Sequence, residues 1–187
     1  MKKILLSALL MGFVSAVFSQ GNIKKGDWML GGNAGFTHQK NGDYKTNSFS
    51  LSPDAGYFFI DNFAGGLRAS VSSTKTAYNS ADIKNSAFEL APFVRYYFLP
   101  ASQKVNLFAD GSFGFGQNKF ENGNTVSKSN FTNIALKAGP AIFITPATAL
   151  EIALGFNSTK VKDVDDRENQ FGISLGFQIH IPGTMKK

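Results

Sequence analysis

Large apolar residues alternate with small or polar ones along much of this chain, most cleanly from Phe171 to Ile181. Phe171, Ile173, Leu175, Phe177, Ile179 and Ile181 hold the odd positions, and Gly172, Ser174, Gly176, Gln178 and His180 the even ones. A period of two is the signature of a β-strand, whose successive side chains point to opposite faces. Leu150, Ile152, Leu154 and Phe156 repeat the pattern against Glu151, Ala153, Gly155 and Asn157. Phe88, Leu90, Val94, Tyr96 and Phe98 repeat it against Glu89, Ala91 and Arg95, although Phe93 and Tyr97 blur the contrast. Segments of this kind fall at 28–39, 48–59, 63–74, 86–98, 105–117, 131–144, 149–159 and 170–181. Eight strands and no helical periodicity predict an all-β chain.

The connections differ by end. Residues 60–62, 99–104 and 145–148 are short links, whereas 40–47, 75–85, 118–130 and 160–169 are longer, polar and rich in Asn, Lys and Gly. Short turns at one end and long loops at the other are the layout of an up-and-down barrel in an outer membrane. Pro53, Pro92 and Pro140 fall inside strands, where each removes a ladder donor, and they are expected to mark bulges or partial pairing. A hairpin-level echo links "SLSPDAGYFF" (50–59) to "ELAPFVRYYF" (89–98).

The small face fixes which way the barrel is turned. A water-facing surface would carry long charged side chains, yet only 17% of the chain is charged and glycines number 19. Small residues fit the narrow interior of an eight-stranded barrel, so the apolar face is expected to meet lipid. The ionisable groups on the inner face are Asp54, Arg68, Glu89, Arg95, Asp110, Lys137, Glu151 and His180, a lumen charge network of mixed sign. Position along the strands suggests that Asp54 pairs with Arg68, that Asp110 lies between Arg95 and Lys137, and that Glu151 lies close to His180. Trp28, Tyr57, Phe59, Tyr96 and Phe98, with Phe63, sit at the short-turn end of the outer face, where interface anchors belong. Phe36, Phe49, Phe88, Phe115, Phe156 and Phe171 form a second aromatic belt toward the loops.

Lys2 and Lys3, the apolar run 4–17 and Val17-Phe18-Ser19 read as a secretory signal peptide over residues 1–19, leaving 20–187 as one barrel domain. Loss of that peptide takes the formal charge from +6 to +4, and the chain has no cysteine. A membrane-inserted protein without a long apolar helix must cross as a closed barrel.

Catalytic and metal chemistry find no support. His38 and His180, the two histidines, fall at opposite ends of their strands, about 30 Å apart at ~3.3 Å per residue. Asp163 to Glu168 is acidic but lacks the glycine and the distant glutamate of a calcium loop. No cofactor is called for, and the lysines form no surface suited to nucleic acid. Lys40, Lys45, Lys75, Lys84, Lys119, Lys128, Lys160 and Lys162 flank the long loops as a basic collar suited to the phosphates of lipopolysaccharide.

On these residues the chain resembles the small eight-stranded outer-membrane β-barrel family, the class of OmpX and of the OmpA membrane domain. "YFFIDNFAGGL" (57–67) is similar to that family's turn between strands two and three. Ser174, Gly176, Ile179 and Ile181 in the last strand resemble its assembly signal, which implies the barrel assembly machinery as a partner. The family usually closes on an aromatic, where this strand ends on Ile181. The resemblance implies a monomeric integral outer-membrane protein surrounded by lipid. Three functions follow from these readings. The first is a non-enzymatic barrel with a side-chain-filled lumen, structural or adhesive through its loops. The second is a narrow porin-like channel. The third, suggested by Gly26-Asp27-Trp28 and its likeness to the lipocalin fingerprint, is a secreted carrier.

Overall fold

The computed structural model describes residues 23–42, 44–78, 81–100 and 103–183; the signal-peptide segment lies outside them. Its strands are β1 (Trp28–Asn41), β2 (Tyr44–Ile60), β3 (Phe63–Tyr78), β4 (Ala81–Tyr97), β5 (Val105–Asn122), β6 (Thr125–Thr145), β7 (Thr148–Val161) and β8 (Glu168–Ile181). Each pairs antiparallel with its sequence neighbours, and β1 pairs with β8 to close the ring. The alternation explains this architecture. Apolar side chains such as Trp28, Phe36, Leu107, Leu154 and Phe171 lie on the outside, while Asp54, Arg68, Arg95, Asp110 and Glu151 are buried within. Closure matters because only a closed barrel leaves no strand edge to lipid.

The lower ends of the strands fall where the alternation begins, but the upper ends do not. Three of the expected long loops are tight hairpins, with Asn41 opposite Tyr44, Tyr78 opposite Ala81 and Asn122 opposite Thr125. At Gly123 φ is +54°, and Asn124 is not left-handed, the pattern of a type II′ turn with glycine at its first central position. Only the last loop, 162–167, is longer. Above the membrane water meets both faces of a strand, so the amphipathic pattern vanishes while the hydrogen-bonded ladder persists. Polar rungs such as Thr46–Thr76 (3.2 Å) and Ser48–Thr74 (3.1 Å) join β2 to β3 there. A polar segment without alternation is thus extended strand rather than loop.

The prolines interrupt the ladder without bulging it. Pairing of β2 with β3 stops at Leu51–Val71 and resumes at Asp54–Arg68 in unchanged register, which skips Pro53. Pro92 falls in the same kind of gap between β4 and β5, and Pro140 between β6 and β7. Each proline remains opposite a residue of its other neighbour, Gly32, Leu67 and Leu107 respectively. Losing one N–H therefore opens one seam locally and leaves the register intact. Register shifts occur instead beside the short turns, between Phe58 and Ile60 and between Phe143 and Thr145.

The interior is not uniformly small. Met29, Phe58, Phe93, Tyr97, Phe108 and Phe143 fill its short-turn end, facing Ala64, Ala141, Ala149 and Ala153. Large side chains opposite small ones fill a narrow barrel without voids. Ile23, 2% exposed, joins this cluster from the segment leading into β1. That segment is held under the barrel: Gly26 N–H donates to Phe58 O (2.8 Å), Phe58 N–H to Asp27 O (2.9 Å) and Asn62 N–H to Ile23 O (3.1 Å). Asp27 also accepts from Lys24 N–H (3.0 Å) and from Gly183 N–H (2.9 Å), tying both ends of the described chain together.

Candidate functional site

Directly above the aromatic floor lies a chain of alternating charges that crosses the lumen. Asp54 and Arg68 are opposite each other on β2 and β3, and Arg68 donates to Asp54 Oδ2 from Nε (3.3 Å) and Nη2 (3.1 Å). The same guanidinium reaches across the barrel to both Asp110 oxygens on β5, at 3.1 and 3.0 Å. Asp110 also accepts from Arg95 Nε (3.2 Å), and Arg95 Nη1 donates to Glu151 Oε1 (2.8 Å) on β7. Gln178 on β8 closes the far end, donating to Asp54 Oδ1 (2.7 Å). Arg68 and Arg95 also rest on the floor, their guanidinium carbons 4.9 Å from the Phe93 ring centroid and 4.6 Å from that of Phe108.

This chain differs from the expected pairing in two respects. Lys137 is opposite Asp110, yet among the described residues no carboxylate lies within 4 Å of its ammonium. Arg95, opposite Asp110 on the neighbouring strand β4, and Arg68, reaching over from β3, occupy its oxygens, so adjacency alone does not decide the partner. Glu151 and His180 are not paired directly either. Tyr97 stands between them, donating to Glu151 Oε1 (3.3 Å) and sharing a 3.2 Å hydrogen bond with His180 Nε2. Glu89 is separate from the chain, higher in the lumen, where Asn133 donates to it at 3.3 and 3.5 Å. Tyr97, Gln178, Phe93 and Phe108 escape a reading of charge alone. The blurred alternation at Phe93 and Tyr97 is the trace they leave in the sequence.

No metal cluster of three or more His, Asp or Glu side chains forms among the described residues. Every acid in the charge chain is spanned by a guanidinium, which leaves none poised as a nucleophile or base. The arrangement holds the strands together across the lumen and fills the space between them, leaving about 20 Å³ among the charges. Above it, the interior opens into a polar vestibule lined by Ser50, Ser70, Ser72, Asn85 and Asn133.

Outside, Trp28 stacks edge-on with Tyr57 (5.1 Å), Tyr57 with Phe59 (5.3 Å), and Tyr96 with Phe98 (5.1 Å). Ser174 and Gly176 face inward on β8, and Ile179 and Ile181 outward, with Ile181 opposite Trp28. The basic collar continues the outward face above the upper belt. Three of its contacts set lysine directly opposite lysine: Lys40–Lys45, Lys75–Lys84 and Lys119–Lys128. Some charge is offset by Asp82, 2.6 Å from Lys75, and by Glu121, which meets Lys84 (3.7 Å) and Lys119.

The sequence matches the family model described as "Outer membrane protein beta-barrel domain" over residues 5–178. No curated protein matches it. Among solved structures it is similar to Neisserial surface protein A, at 18% identity and a TM-score of 0.56, over 83% of this chain and 97% of that one. Ail, the attachment invasion locus protein of Yersinia pestis, is 18% identical with a TM-score of 0.47, covering 84% and 99%. OprG from Pseudomonas aeruginosa is 12% identical with a TM-score of 0.46, covering 88% and 100%. At these identities the likeness is one of fold.

Proposed function

From the premise that this chain belongs to the outer membrane protein β-barrel domain family and resides in the outer membrane, we propose a non-enzymatic barrel whose lumen is shut and which acts through its outer surface. One observation carries the reading: the lumen is crossed by the Asp54–Arg68–Asp110–Arg95–Glu151 chain and floored by Phe58, Phe93, Tyr97 and Phe108. A conducting path would have to break hydrogen-bonded charges that are worth far more in place than apart. The extracellular part is a crown of extended strands that serves as a structural or adhesive surface.

Lipopolysaccharide is the partner this surface fits. Like charges directly opposite each other on a sheet are destabilising. Three such lysine pairs just above the upper aromatic belt gain from an anionic counterpart at that height, the phosphates of the outer leaflet. Trp28, Tyr57, Phe59, Tyr96 and Phe98 anchor the opposite interface, and the last strand, with Ser174, Gly176, Ile179 and Ile181, presents itself to the assembly machinery. Two measurements test the reading. Planar-bilayer recording should show no steady conductance; stable unitary steps would refute the shut lumen. Replacing Lys40, Lys75, Lys84 and Lys119 by Gln should weaken lipopolysaccharide binding and flatten its salt dependence. Unchanged binding would remove lipopolysaccharide as the partner.

A further inference from the structure

β1 and β8 are joined only along their lower parts, from Trp28–Ile181 to Asn33–Gly176. Extended upward, that register would set Ala34 opposite Leu175, Gly35 opposite Ser174 and Phe36 opposite Ile173. None of these pairs forms, although β1 remains paired with β2 up to Asn41–Tyr44 and β8 with β7 up to Thr159–Glu168. The gap begins six residues above Trp28, about 20 Å along a strand that leans ~40° from the barrel axis. It therefore opens below the upper belt marked by Phe36 and Phe171, within the outer leaflet. Unpaired backbone at that depth is tolerated only where it lines a water-filled space. The vestibule provides that space: a cavity of about 920 Å³ is lined both by inner residues such as Ser50 and Lys137 and by Ala34, Ile173 and Leu175 of the outer face. The interior and the membrane thus communicate through the wall.

Two features say what passes there. On the inner side, Lys137 is opposite Gly155, and Gly155 is opposite Gly172, which borders the gap. Neither glycine carries a side chain, a Cβ added at Gly172 would have no atom within 4 Å, and Lys137 lines the same cavity as Gly172 and Leu175 beside the slit. On the outer side, a second cavity of about 440 Å³ crosses β1 at the foot of the slit, lined by Gly32, Ala34, Leu51, Pro53, Leu175 and Phe177. A cation within and an apolar trough without match the two ends of one kind of molecule. We propose that the β1–β8 slit is a lateral binding site for a single-chain anionic amphiphile, its head on Lys137 and its tail in the outer trough. The site goes beyond the outer-surface role and rests on that reading in one respect, the shut floor that makes the vestibule blind.

The test uses the folded barrel in nanodiscs of zwitterionic phospholipid, titrated with spin-labelled palmitate and with its methyl ester. Palmitate should give a saturable immobilised spectrum, and the ester should bind at least tenfold more weakly. Lys137→Gln should bring palmitate down to the level of the ester. Ala34→Cys with Leu175→Cys, oxidised to staple the slit, should abolish binding, and reduction should restore it. Competition by unlabelled hexadecyl phosphate against hexadecanoate separates a phosphate head from a carboxylate. Equal binding of acid and ester, no effect of Lys137→Gln, or full binding to the stapled barrel would each overturn the site. Conductance through the floor would refute the shut lumen while leaving these binding results intact, so the two failures are distinguishable.

Discussion

Arg95 is the residue on which the interior should depend most. It is 3% exposed, donates to Asp110 and Glu151, contacts the Tyr97 hydroxyl (3.3 Å) and rests on the Phe108 ring. Arg95→Met keeps the length of the stem and removes the charge. Asp110 then retains Arg68, but Glu151 is left with only the Tyr97 hydroxyl, in a region from which water is excluded. Breaking a buried ion pair from one side typically destabilises by about 3–5 kcal/mol, because the surviving charge stays buried without its partner. Removing Glu151 as well eliminates that orphan, so Arg95→Met with Glu151→Leu should recover at least half of the loss. The assay is urea unfolding of the barrel in phospholipid vesicles, followed by the fluorescence of Trp28, the only tryptophan. A loss below about 1 kcal/mol for Arg95→Met, in the range of exposed pairs, would refute the claim that the charge chain is dry. A double variant as unstable as the sum of the singles would show that Arg95 and Glu151 act independently.

Three further outcomes follow from geometry elsewhere. A Cβ at Gly139 would overlap the Ile152 carbonyl oxygen across the Pro140 gap, so Gly139→Ala should destabilise by about 1–3 kcal/mol in the same urea assay. Gly123→Val places a β-branched residue at φ +54° and should lose about 1–2 kcal/mol in that assay. Trp28, half exposed on the outer face beside Tyr57, should be quenched more strongly by bromine near the lipid headgroups than by bromine near the bilayer centre.

What the sequence discloses about this barrel depends on where water and lipid lie. Between the belts the two faces of each strand meet different solvents, and the resulting alternation reveals the strand number, their lower ends and the side on which Asp54, Arg68 and Arg95 stand. Above the upper belt both faces meet water, and strands such as Lys119–Asn122 look like loop. Inside the lumen some partners come from beyond the neighbouring strand, so adjacency in the sheet finds Asp54–Arg68 and Arg95–Asp110 but not Arg68–Asp110 or Arg95–Glu151. Tyr97 and Phe93 look like errors in an outward-facing pattern, yet they are inward residues of the floor. The slit between β1 and β8 leaves no mark in either strand alone, since pairing between the first and last strands is a property of the closed ring.

The hairpins above the membrane give this protein a stiff periphery. From Phe115 to the turn at Gly123 the β5–β6 hairpin continues for about seven residues, a stem of some 15–20 Å once strand tilt is included. A peptide inserted between Gly123 and Asn124 would be carried on that stem at a fixed height and orientation, clear of the lipid surface. The barrel is in this sense a ready-made display scaffold: foreign sequence at the turn tips should be tolerated, while a single-residue insertion lower in the stem would flip the faces of everything beyond it.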